Sequence, residues 1–91
     1  MSAAVGLDSR SSGWGSVAMG YHATASGNQS VSLGFGADDF SYAASGDYSV
    51  RIGSAAKATA NNATALGYNS IASGTTSVAV GASANSASGV A

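Results

Sequence analysis

Few residues in this 91-residue chain could carry covalent chemistry. There is one histidine, His22, no cysteine, four carboxylates and three Lys or Arg. His22 has no serine or aspartate at a recognisable motif spacing. Asp38 and Asp39, the only adjacent carboxylates, do not by themselves make a general acid and base. A single histidine without a second ligand type is not a metal site. The glycine-rich run "GWGSVAMG" at 13–20 lacks both the glycine spacing and the lysine of a phosphate loop. The sequence therefore predicts no catalytic residue, no metal and no cofactor. His22 is expected to be a solvent-exposed bystander.

What remains is recognition. "DDFSY" at 38–42 sets two carboxylates beside two aromatics. Asp38, Asp39, Phe40 and Tyr42, with the exposed cation Lys57, are the candidate ligand contacts, since loops on a regular scaffold often carry binding. The competing reading is that these aromatics seal a neighbouring chain. Arg51 is expected to pair with Asp38, Asp39 or Asp47, because a buried cation needs a partner. Its functional alternative is an anion site near a symmetry axis.

The elements that hold these residues are repetitive. Ala (20), Ser (18) and Gly (13) make up more than half of the chain. Large apolar residues are too few for an ordinary globular core in so short a domain. A net charge of −1 argues against tracking a phosphate backbone, so nucleic acid is not an expected partner. No segment is long and apolar enough to span a membrane, so direct membrane insertion is not expected either. Glycine follows a branched or large apolar residue at Gly6, Gly20, Gly34, Gly53, Gly67 and Gly81, spaced by 14, 14, 19, 14 and 14. A second series lies seven residues on, at Gly13, Gly27 and Gly74. The repeat covers residues 1–91 as one domain, with a degenerate first copy at 2–15 and a five-residue excess near 38–42.

Within each copy apolar and small residues alternate with period two, as in "SVAMG". Each copy predicts two short strands separated by glycine turns, stacked in parallel on the next copy. In this reading Val17, Met19, Val31, Leu33, Val50, Ile52, Leu66, Val78 and Val80 fill the lumen. Ala23 and Ala25 make room opposite. The intervening series Ala18, Ser32, Arg51, Ala65 and Ala79 then points outward. It stays small, apart from Arg51, as though against another chain. Tyr21, Phe35 and Tyr68, each directly after a glycine, supply larger contacts to that interface, and an oligomer is expected. Trp14 is expected to cover an open end of the stack.

The units "SVAMGYHATASG", "TALGYNSIASG" and "SVAVGASANSASG" resemble the head repeats of trimeric autotransporter adhesins, the YadA-like or haemagglutinin-type repeat. The resemblance implies an all-β, left-handed parallel β-roll of fourteen-residue coils assembled as a homotrimer. It also implies display on a bacterial surface, outside the outer membrane. There the head would attach to host extracellular matrix, host cells or other bacteria. A spacer or tip module, as in a phage fibre, is the alternative. Ice binding is disfavoured, because Thr24, Thr59, Thr64, Thr75 and Thr76 occupy different repeat positions. The Asn28-Gln29-Ser30 and Asn62-Ala63-Thr64 glycosylation patterns read as coincidence in such a repeat.

Overall fold

The computed structural model describes residues 2–35 and 43–90. The chain winds as an all-β parallel solenoid of six coils, each contributing one strand to each of two sheets. The first sheet comprises β1 (Ala3–Val5), β3 (Val17–Met19), β5 (Val31–Leu33), β7 (Val50–Ile52), β9 (Thr64–Leu66) and β11 (Val78–Val80), stacked in that order. The second comprises β2 (Arg10–Ser11), β4 (Thr24–Ala25), β6 (Ala43–Ala44), β8 (Lys57–Ala58), β10 (Ile71–Ala72) and β12 (Asn85–Ser86). The molecule measures 30 × 22 × 15 Å.

Register is set residue by residue. Val17 faces Val31 and Met19 faces Leu33. Val31 then faces Val50, and Ser32 faces Arg51, so the ladder absorbs the 19-residue spacing without slipping. Turn glycines hold the coils close. A Cβ placed on Gly27 would lie 2.1 Å from the carbonyl oxygen of Gly46, one coil away. At Gly20 the need is double: φ is +121°, and a Cβ would lie 2.7 Å from the Gly34 oxygen. In most of the described turns the residue two places after the glycine position lies in the left-handed region. At several coils this is a residue other than glycine: His22, Ala55, Asn69 and Ser83 at one edge, Gln29, Tyr48, Asn62 and Thr76 at the other. Such a residue costs about 1–2 kcal/mol, which the ladder's backbone bonds must offset in every coil.

The lumen inverts the expected parity. Ala18, Ser32, Arg51, Ala65 and Ala79 have no exposed surface. They lie between the sheets with Ser16, Ser30, Ser49, Ala23, Ala25, Ala56, Ala58 and Ala72, all buried. Val17, Val31, Val50 and Val78 are half-buried, as are Leu33 and Ile52, while Met19, Leu66 and Val80 are exposed. The large residues expected inside therefore face outward, and the small series expected outside is the core. The cause is steric. Two-residue turns bring the sheets together in a body only 15 Å across its shortest axis. The gap takes methyl and hydroxymethyl groups along its length, and the one large side chain in it, Arg51, has its guanidinium taken up by turn carbonyls. Alternation defines two faces, and a shift of one residue exchanges them completely.

Candidate interaction surface

Turning the large residues outward gives the first sheet an apolar outer face. One column is Val17, Val31, Val50, Thr64 and Val78, and the next is Met19, Leu33, Ile52, Leu66 and Val80. The turn after the first glycine extends this face with Leu7, Tyr21, Phe35 and Tyr68, all exposed. Tyr21 and Phe35 stack with centroids 5.2 Å apart, because the ladder sets equivalent turn residues one above the other. Of the residues expected at a chain–chain interface, Tyr21, Phe35 and Tyr68 stand on this surface. Ala18, Ser32, Arg51, Ala65 and Ala79 lie inside the roll and cannot touch another chain.

The second sheet's outer face is mixed. Arg10, Thr24, Ala43, Lys57, Ile71 and Asn85 occupy the equivalent outward position on successive coils. Thr24 and Ala43 are buried there, and Lys57 is half-buried on β8. The remaining candidate ligand contacts, Asp38, Asp39, Phe40 and Tyr42, lie outside the described residues.

His22 is not the exposed bystander expected. It is buried, with φ +57°. Its ring stacks on Tyr21 at 4.1 Å, and Nε2 sits 3.2 Å from Asp8 Oδ2, fourteen residues back. The repeat period brings this pair together, a relation visible only once the coils are stacked.

Arg51 occupies the lumen where its equivalents are Ala or Ser. Nε donates to the Ala56 carbonyl at 3.0 Å. Nη1 donates to Ser32 Oγ at 2.8 Å and to the Gly34 carbonyl at 3.4 Å. Nη2 donates to the Phe35 carbonyl at 2.8 Å and the Gly53 carbonyl at 2.9 Å. Among the described residues no carboxylate pairs with it, and Asp47 instead accepts the backbone amide of Asn28. Burial pushes the Arg51 pKa down from its ordinary value. In other coils a turn amide donates to the first-glycine carbonyl, as Ala23 does to Gly20. At Gly53 the guanidinium donates to it. Arg51 thus separates two alanine clusters, one of Ala18, Ala23 and Ala25, the other running from Ala56 to Ala79.

The turn after the second glycine forms a separate edge that the repeat alone did not reveal. Asn28 Oδ1 accepts the Trp14 amide at 3.1 Å, Asp47 Oδ1 the Asn28 amide at 2.9 Å, and Asn61 Oδ1 the Asp47 amide at 3.0 Å. Asn or Asp at this repeat position in three consecutive coils is the signal that could have exposed this ladder. Trp14 does not cover the end of the roll: it stands on this edge, 67% exposed.

A two-sheet parallel solenoid with glycine-locked coils, small residues inside and an apolar outer face defines a class of repeat scaffold. Sequence comparison identifies which one. The model of the YadA head domain repeat matches residues 11–37, 44–70, 58–84 and 72–89. The chain belongs to that family, an adhesin repeat of trimeric autotransporter type. The matches stop at 37 and resume at 44, bracketing the five-residue excess. No curated protein matches the chain.

Proposed function

We propose that this chain forms the head module of a trimeric bacterial surface adhesin. Three left-handed rolls would pack through the first sheet's outer face, and the head would be displayed outside the outer membrane. The observation that carries this reading is the apolar face itself. Its two columns continue into exposed Leu7, Tyr21, Phe35 and Tyr68, with Ser54 at the equivalent position between the last two. A continuous apolar surface of that kind marks an association site rather than a solvated wall. The family supplies the number three and the surface location. Attachment to host matrix, host cells or other bacteria would then be multivalent, with three copies of each weak contact raising avidity. Residues 38–42 and Lys57 stay the candidate specific contacts, and no step of this function requires catalysis.

Sedimentation equilibrium of the purified protein tests the assembly, and a mass of three chains is expected. A folded monomer at micromolar concentration would overturn it. Binding of the trimer to matrix-coated surfaces or host cells tests attachment. A stable trimer that binds neither would leave only a spacer role.

A further inference from the structure

The edge after the second glycine has the chemistry of a carbohydrate site, and we propose that it binds neutral oligosaccharide chains. This deepens the adhesin reading and rests on it. Two aromatics stand out on this edge. Trp14 is 67% and Tyr48 57% exposed. Tyr48 also sits at φ +60°, a conformation costly for a bulky side chain, and gains no burial in return. The ladder places them two coils apart, since the Tyr48 amide donates to the Asn28 carbonyl and the Gln29 amide to the Trp14 carbonyl. At the spacing of paired strands that is about 10 Å, comparable with two pyranose units.

Along the same edge lie polar groups whose orientation is already fixed: Asn28 on the coil between the aromatics, Asp47 beside Tyr48 and Asn61 one coil beyond. Asn28, Asp47 and Asn61 each commit Oδ1 to a backbone amide. The other end of each group, Nδ2 or Oδ2, takes no part in that bond, and Asn28 and Asn61 are exposed while Asp47 is half-buried. The edge presents donor, acceptor and donor on successive coils at little further entropy cost. A pyranose offers a complementary pattern: a C–H face for an aromatic plate, and rim hydroxyls that both donate and accept. Asp47 is the one formal charge among these residues, which suits an uncharged chain and disfavours a sulfated or phosphorylated one. The first-glycine edge differs, since Tyr21 stacks on Phe35 and His22 and its exposed residues adjoin the apolar face.

Calorimetric titration of the purified protein with chitotetraose and cellotetraose tests the proposal, with a heparin tetrasaccharide for comparison. Saturable binding of a neutral tetrasaccharide is expected. A Trp14→Ala, Tyr48→Ala double variant should weaken it about tenfold or more. Asp47→Asn keeps the ladder acceptor, so it should leave the melting temperature unchanged while weakening binding several-fold. The proposal is overturned if neither neutral tetrasaccharide binds at millimolar concentration. It is also overturned if the double variant binds as the parent does, or if the heparin fragment binds equally well. Sedimentation and cell-attachment measurements on the same samples report on the adhesin reading separately. A trimer that attaches to cells but ignores neutral glycans removes this site and leaves the head function standing.

Discussion

The two turn edges flanking the first sheet share one backbone plan and diverge in side chains. In most coils both turn through glycine backed against the next coil, and both hold left-handed residues along the described turns. At the first-glycine edge, Tyr21 lies against Phe35 and the row continues into exposed Met19, Leu66 and Val80. At the second-glycine edge, side-chain oxygens of Asn28, Asp47 and Asn61 hold the neighbouring coil's amides, and Trp14 and Tyr48 project separately. An apolar surface that is continuous favours one large, dry contact. Isolated aromatics among fixed polar groups favour small, wet ligands. A repeat scaffold can thus divide assembly and recognition between edges by changing side chains alone.

The largest effect comes from the glycines on which both edges depend. Gly27→Val would drive a side chain into the Gly46 carbonyl, where even a bare Cβ would lie 2.1 Å from the oxygen. The contacting atom is backbone, so relief requires opening the coil. A cost above about 4 kcal/mol is expected, with loss of the β signal in circular dichroism. If Gly27→Val folded like the parent, close coil packing would not be what both edges share. Next is Arg51→Met. It strands the Ser32 hydroxyl and several turn carbonyls that the guanidinium now satisfies. Leaving buried acceptors unpaired should cost about 2–4 kcal/mol, read as a lower midpoint in denaturant. The mass should change only through that destabilisation, since Arg51 reaches the first-glycine turn from inside the roll and has no exposed surface to offer another chain.

Leu66→Asp separates the edges more directly. Its side chain lies on the apolar face and is 42% exposed in the single chain. A charge there costs the isolated roll little, yet it would be buried without a partner in an assembly. We expect the fold to persist and the trimer to dissociate, giving a single-chain mass by sedimentation. Trp14→Ser, on the other edge, should leave the mass unchanged. Dissociation by both variants would mean that the two edges serve one interface.

Part of this was legible in the sequence. The glycine spacings gave the coils, and period-two alternation gave strands with two unlike faces. The aromatics after the first glycine could be read as outward-facing, and Tyr21, Phe35 and Tyr68 are exposed. The choice of inner face was not legible, because "SVAMG" is equally alternating whichever series is inside. Lumen width decides it, and that width follows from turn geometry with no residue signature of its own. Arg51 was visible as an exception to a small series, but its destination depends on that same choice. The His22–Asp8 contact and the Asn28, Asp47, Asn61 ladder needed the coils to be stacked before residues 14 or 19 apart became neighbours.

The smallest predicted effect makes the finest cut between stability and recognition. Thr76 and Tyr48 occupy the same turn position with φ of +60°. Neither is suited to it: threonine is β-branched and tyrosine bulky, whereas asparagine enters the left-handed region readily. Asn62 already fills the equivalent position one coil from each. Thr76→Asn and Tyr48→Asn should therefore each stabilise the roll by about 0.5–1 kcal/mol, measured as a raised denaturant midpoint with an unchanged slope. The two variants should part company in oligosaccharide titration. Thr76→Asn should bind as the parent does, whereas Tyr48→Asn should bind more weakly despite greater stability. If Tyr48→Asn is stabilised and binding is undiminished, the strain at residue 48 has no role in recognition. A loss of stability in Tyr48→Asn would instead mean that the exposed ring supports the fold, and the contrast between the edges would then lie in packing alone.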